Sequence, residues 1–103
     1  MELMRISGKT FQKEVLQSKT PVVCLFWAAW SAPCKTQLAL LEQRSEREEQ
    51  IRFCRINTDE QFPLSLRYLI RTVPTVLVFR EGKLCRKAEG PLSEAQLSAL
   101  LAP

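Results

Sequence analysis

Ser31 and Cys34 stand three residues apart in FWAAWSAPCK, residues 26–35. Two cysteines at that spacing would carry two-electron thiol–disulfide chemistry. The outer thiolate attacks a substrate disulfide and forms a mixed disulfide. The inner one, a helical turn further in, attacks that bond, releases the reduced product and leaves the pair oxidised. A hydroxyl is far less acidic than a thiol and cannot form a disulfide, so the turn holds one half of such a pair. PVVCLFWA, from Pro21, leads into it and is almost wholly apolar, as expected of a strand covered on both faces. Pro33 suits the first turn of a helix, and Ser31 suits its N-cap. The first N–H groups and the dipole of such a helix acidify a thiol placed there. Cys34, one step further inside, is expected to be shielded and less reactive than an outer thiol.

Other elements must hold that turn. MELMRI is apolar enough for a first strand, and Thr10 can cap a helix whose inner face carries Phe11, Val15 and Leu16. The helix opened by SAPCK is expected to reach about Glu49, with Leu38 and Leu41 inward. Its second half, EQRSEREEQ, has no large apolar residue and reads as a solvated end held by pairs such as Arg44 and Glu48. IRFCRIN alternates as a strand: Ile51, Phe53 and Arg55 face one way, Arg52, Cys54 and Ile56 the other. TDEQFPLSLRYLI holds a short helix with Pro63 early in it, and TVLVFRE and KLCRKAE form a hairpin about Gly82. Lys83, Arg86 and Lys87 suit a charged sheet edge. Ser93 and Gln96 fit a capping box, with Leu92 and Leu97 as its staple and Leu97, Leu100 and Leu101 as the buried stripe. The order β-α-β-α-β-α-β-β-α implies an α/β fold: one domain over 1–103, with a five-stranded mixed sheet and helices on both faces.

Composition narrows the chemistry. The chain has 103 residues, 46% hydrophobic and 25% charged, with formal net charge +4, an ordinary balance for one globular domain. Its four cysteines stand far apart and there is no histidine, so no metal site is expected. Cys24, Cys54 and Cys85 read as small buried hydrophobes on strands. The basic residues form no long run, so nucleic acid is not an expected partner. No apolar stretch is long enough to span a membrane, and MELMRISGKTF lacks a signal peptide's apolar core. A cytoplasmic protein without a cofactor is the expectation.

Trp30-Ser31-Ala32-Pro33-Cys34-Lys35, preceded by Phe26-Trp27-Ala28, resembles the active-site segment of the thioredoxin family, whose usual form is W-C-G-P-C-K. Ile70-Arg71-Thr72-Val73-Pro74-Thr75 resembles that family's cis-proline segment. Gly82 matches its hairpin turn and Gly90 a glycine near its substrate groove, so the resemblance covers nearly the whole chain. It implies a thioredoxin fold and a cis Val73–Pro74 bond beside Ser31 and Cys34. It makes Ser31 the nucleophile position and Cys34 the resolving-thiol position. It also implies a groove at Trp30, Ala32, Pro33, Val73, Pro74 and Gly90, where the Val73 backbone offers hydrogen bonds to an extended peptide. The implied partners are protein thiols and disulfides or extended peptide segments, with a thioredoxin reductase if a dithiol form exists.

The departures from that family are specific. Ser31 replaces the first cysteine and Ala32 the motif glycine. Leu25 stands where a buried aspartate is common, and Arg55 where a lysine is. Ala39 replaces a helix-kinking proline, Leu69 a glycine before the isoleucine, and Arg44 an apolar residue. Three readings stay open on these residues. One is a thioredoxin-like protein that binds extended polypeptide without full disulfide-reductase turnover. A second is an ordinary disulfide reductase captured as a Cys-to-Ser variant. The third is monothiol chemistry by Cys34 with glutathione or another external thiol.

Overall fold

The computed structural model describes residues 2–103. Among the described residues, the five strands are β1 (Met4–Arg5), β2 (Val22–Trp27), β3 (Arg52–Asn57), β4 (Thr75–Arg80) and β5 (Lys83–Glu89). They form one sheet in the order β1-β3-β2-β4-β5. β3 runs parallel to both β1 and β2, while β4 is antiparallel to β2 and β5 to β4. The three α-helices are α1 (Ala32–Ser45), α2 (Phe62–Arg67) and α3 (Glu94–Leu101), and a π-helical segment spans Gln12–Leu16. This is the mixed α/β sheet of a thioredoxin fold.

β2 lies at the centre, and its alternate side chains feed two cores. Val22, Cys24 and Phe26 pack with Phe11, Val15, Ile56, Leu64 and Phe79 on one face. Val23 and Leu25 pack with Leu41, Phe53, Val76, Leu97 and Leu101 on the other. The π-helical segment and α2 therefore cover one face, and α1 and α3 the other, which explains why PVVCLFWA is apolar throughout. Phe11, Tyr68 and Phe79 form an aromatic trio with centroids 5.4–5.8 Å apart. The edge-on rings of Phe79 suit their quadrupoles.

Several local expectations shift. Met1 lies outside the described residues, and within MELMRI only Met4–Arg5 pair as strand. Thr10 is not the helix cap: its Oγ1 reaches back to accept the Ser7 N–H at 3.0 Å, while the Ser7 carbonyl accepts the Phe11 N–H. The helical turn thus begins nearer Ser7. α1 ends at Ser45 rather than near Glu49. Arg44 and Glu48 do pair, at 2.9 Å, but an i,i+4 pair contributes only about 0.2–0.5 kcal/mol. Without apolar anchors such a segment has little tertiary packing to hold it helical. α1 runs unbroken through Ala39. Within it Leu41 is buried and Leu38 half-buried, while Gln37 is buried.

The C-terminal half follows its sequence signals closely. The Ser93–Gln96 capping box is complete on both sides, and Leu92 packs in the same cluster as Leu97. Arg86 Nη1 donates to the carbonyls of Ala99 and Leu100, and Arg80 Nη2 to those of Leu101 and Ala102. Two strand arginines thus serve the bare carbonyls at the end of α3. Cys85 is exposed rather than buried. The register passes from Val78↔Arg86 to Phe79↔Leu84, which leaves Cys85 as the extra residue of a β-bulge.

Candidate active site and peptide groove

The turn leaving β2 is tight: the Ser31 N–H donates to the Ala28 carbonyl at 3.1 Å. Ser31 is extended and caps α1, its Oγ accepting the Cys34 N–H at 3.3 Å. Ala32 and Pro33 form the exposed first helical positions, where proline loses no hydrogen bond. Cys34 is fully buried. The hydroxyl therefore occupies the outer position and satisfies a helix-end amide that would otherwise lack a partner.

Trp30 is 74% exposed, and its indole N–H donates to Asp59 Oδ2 at 3.1 Å. Trp30 and Val73 line one cleft of about 170 Å³ with Thr58, Ile70, Arg71 and Thr72. The Val73–Pro74 peptide is cis. Pro74 is buried, and its carbonyl accepts the Gly90 N–H at 2.9 Å. Gly90 has φ +86°, a backbone region that favours glycine. The structure thus joins Trp30 with Val73, Ser31 with Cys34, and Pro74 with Gly90. Ala32, Pro33 and Gly90 are not among the residues lining the Trp30 cleft.

Several polar or sulfur-bearing side chains are buried along β2 and β3. Leu25 is fully buried and pairs in register with Arg55. The Arg55 guanidinium lies 5.4 Å from the centre of the Trp27 ring, and its Nη2 is 3.2 Å from Glu2 Oε1. Among the described residues its Nε has no hydrogen-bond partner. Cys24 and Cys54 are buried neighbours across β2 and β3, with sulfurs 3.3 Å apart. Burial, and then the Cys54 thiol, push the Cys24 thiol well above its ordinary range. That favours the protonated, unreactive form.

Two buried polar residues that were not among the expected site residues tie neighbouring segments together. Gln37 spans from α1 to the segment before α3: its Oε1 accepts the Leu92 N–H and its Nε2 donates to the Leu92 carbonyl. Thr75 is buried and donates to the Thr72 carbonyl at 2.7 Å, closing the turn around Pro74. A glutamine on the inward face of α1 was the one available signal for the first. Asp59 and Thr58 reach the cleft only because β3 ends beside β2, where the Thr58 N–H meets the Trp27 carbonyl.

The family model for thioredoxin matches residues 2–103. The chain belongs to the thioredoxin family, whose chemistry is thiol–disulfide redox. It is 39% identical to the thioredoxin of Acidithiobacillus ferridurans over 100 residues, covering 96% of this chain and 93% of that relative. It is 32% identical to thioredoxin 1 of Nostoc sp. over 98 residues, covering 94% and 92%. Against thioredoxin 1 of Synechococcus elongatus it is 30% identical over 97 residues, covering 93% and 91%. Among the described residues, no helix is long and apolar enough to cross a membrane.

Proposed function

We propose that this thioredoxin-family protein binds extended polypeptide segments and does not complete disulfide-reductase turnover. The observation that carries this reading is the Ser31–Cys34 arrangement. Ser31 Oγ fills the outer position as a helix cap, and the thiol inside it is fully buried. This turn offers no accessible sulfur to attack a substrate disulfide and form a mixed disulfide. Exposed Trp30, with Val73 lining the same cleft, supports the binding half of this reading. Partners are protein segments, including those carrying thiols or disulfides. A thioredoxin reductase enters only with a dithiol form. The four thiols are all unpaired, which suits the reducing cytoplasm we assign it to.

The reading in which serine alone silences an ordinary reductase draws support from the family match along residues 2–103. The monothiol reading is opposed by the burial of Cys34. A paired assay separates the three: dithiothreitol-driven insulin reduction by the protein and by Ser31→Cys. Alongside it runs fluorescence-detected binding of an uncharged extended peptide to the protein and to Val73→Asp. The expected result is no turnover by the protein, and peptide binding that Val73→Asp removes. Turnover by the protein itself would overturn the proposal. Turnover gained by Ser31→Cys, without peptide binding by the parent, would establish the silenced reductase instead.

A further inference from the structure

A second groove adjoins the Trp30 cleft, and its make-up is unusual for a surface. It has a volume of about 460 Å³, and the residues lining it include Phe62, Leu66, Leu69, Ile70, Arg71 and Lys87. Phe62, Leu66 and Leu69 are 64%, 63% and 69% exposed. Single exposed apolar residues are ordinary, but several gathered in one groove with a charged rim mark an interaction site.

Leu69 is the informative residue. The Ile70 N–H bonds the Ser65 carbonyl at 2.9 Å, and the Leu69 N–H bonds that of Leu66 at 3.2 Å. These are the two bonds of a Schellman ending to α2, which places Leu69 at the left-handed position that glycine normally fills. Its φ is +54°. A leucine there is disfavoured by its own backbone, and its exposure means that burial within this chain offsets little of that. A partner that contacts this exposed side chain would account for a leucine here.

The rim gives the sign of that partner. Arg71 and Lys87 are the charged residues of the lining, and no acid is among them. Lys87 Nζ is held by the neutral Leu69 carbonyl at 3.2 Å, so its charge is not cancelled there. Arg71 is paired with Glu89 at a long 3.6 Å and remains 78% exposed. Ile70 and Arg71 also line the Trp30 cleft, so the two surfaces are continuous.

We propose that this groove docks an acidic amphipathic segment of a partner protein, bulky apolar side chains seated on Phe62, Leu66 and Leu69 and flanking carboxylates on Arg71 and Lys87. The proposal is argued from Phe62, Leu66, Leu69 and Lys87, which lie outside the Trp30 cleft, and stands if the peptide-binding reading fails. The test uses fluorescein-labelled synthetic peptides: one of leucine, phenylalanine and glutamate in amphipathic order, and one with lysine in place of glutamate. Anisotropy titrations compare the protein with Leu69→Gly, Lys87→Glu and Val73→Asp. Leu69→Gly suits the left-handed backbone, so it is expected to melt no lower than the parent while weakening the acidic peptide at least ~10-fold. Lys87→Glu is expected to remove the preference for the acidic peptide. Equal binding of both peptides by the protein, or undiminished binding by Leu69→Gly, would overturn the proposal. Loss with Val73→Asp but not with Leu69→Gly would place the peptide in the Trp30 cleft, refuting this site and leaving the earlier reading intact. Binding of phosphatidylserine vesicles in place of the peptide would overturn it in favour of a membrane surface.

Discussion

Gly82→Ala and Gly90→Ala add the same methyl group to two similar backbones, with φ +77° and +86°. Their surroundings differ. A Cβ at Gly82 would stand 2.6 Å from the Leu16 carbonyl oxygen, while at Gly90 nothing lies within 4 Å. A left-handed backbone costs an L-residue about 1–2 kcal/mol, and that is the whole loss expected at Gly90. At Gly82 the overlap falls on a backbone oxygen of the π-helical segment, which cannot swing aside as a side chain can. Overpacking of that kind adds roughly 1–3 kcal/mol, for a total of about 2–5 kcal/mol. In a domain of about 100 residues each kcal/mol moves Tm by roughly 4–8 °C. Gly82→Ala is therefore expected to melt at least ~8 °C lower, and Gly90→Ala by about half as much or less. Urea unfolding of both variants reads the same difference as a shift in midpoint at constant slope. Equal losses in the two, or a larger loss at Gly90, would refute the argument that contact with Leu16 restrains the β4–β5 turn.

Three further outcomes are expected. Ser31→Ala removes the acceptor for the Cys34 N–H and should lower stability by about 1 kcal/mol in urea unfolding; no loss would mean that water caps α1 equally well. The Cys24 thiol is pushed up by burial and by Cys54, so the unfolded chain loses that proton first as pH rises. Stability from this group is complete below roughly pH 8.5 and then falls by about 1.4 kcal/mol per pH unit until the folded thiol titrates. Cys24→Val should flatten that alkaline decline; parallel curves for the two proteins would count against it. Native iodoacetamide labelling read by mass spectrometry should modify Cys85 and spare Cys24, Cys34 and Cys54, following their exposure. Labelling of Cys34 at a free-thiol rate would restore the monothiol reading.

The sequence by itself determined the sheet's centre, the active-site turn and the C-terminal helix. PVVCLFWA has no polar face, so it reads as a strand covered on both sides. Ser31 with Pro33, and Ser93 with Gln96, are local signals whose hydrogen bonds close within a few residues and need no distant partner. The thioredoxin resemblance was likewise legible, because its motifs lie in order along the chain. Tertiary structure decided what depends on residues far apart. Cys85 looks like any strand cysteine, and its exposure shows only once β5 takes its place at the sheet's edge with Cys85 at the register shift against β4. Gln37 shows its role only once α1 lies beside Leu92, 55 positions away. The end of α1 follows from where apolar cover stops, not from any terminating residue. The second groove is the clearest case. The sequence places a short helix in TDEQFPLSLRYLI but not which of its residues face out, and Phe62, Leu66 and Leu69 do so only once α2 takes its angle on the sheet. One turn of α2 then suffices to bury Leu64, and the Schellman ending leaves Leu69 pointing away from that core.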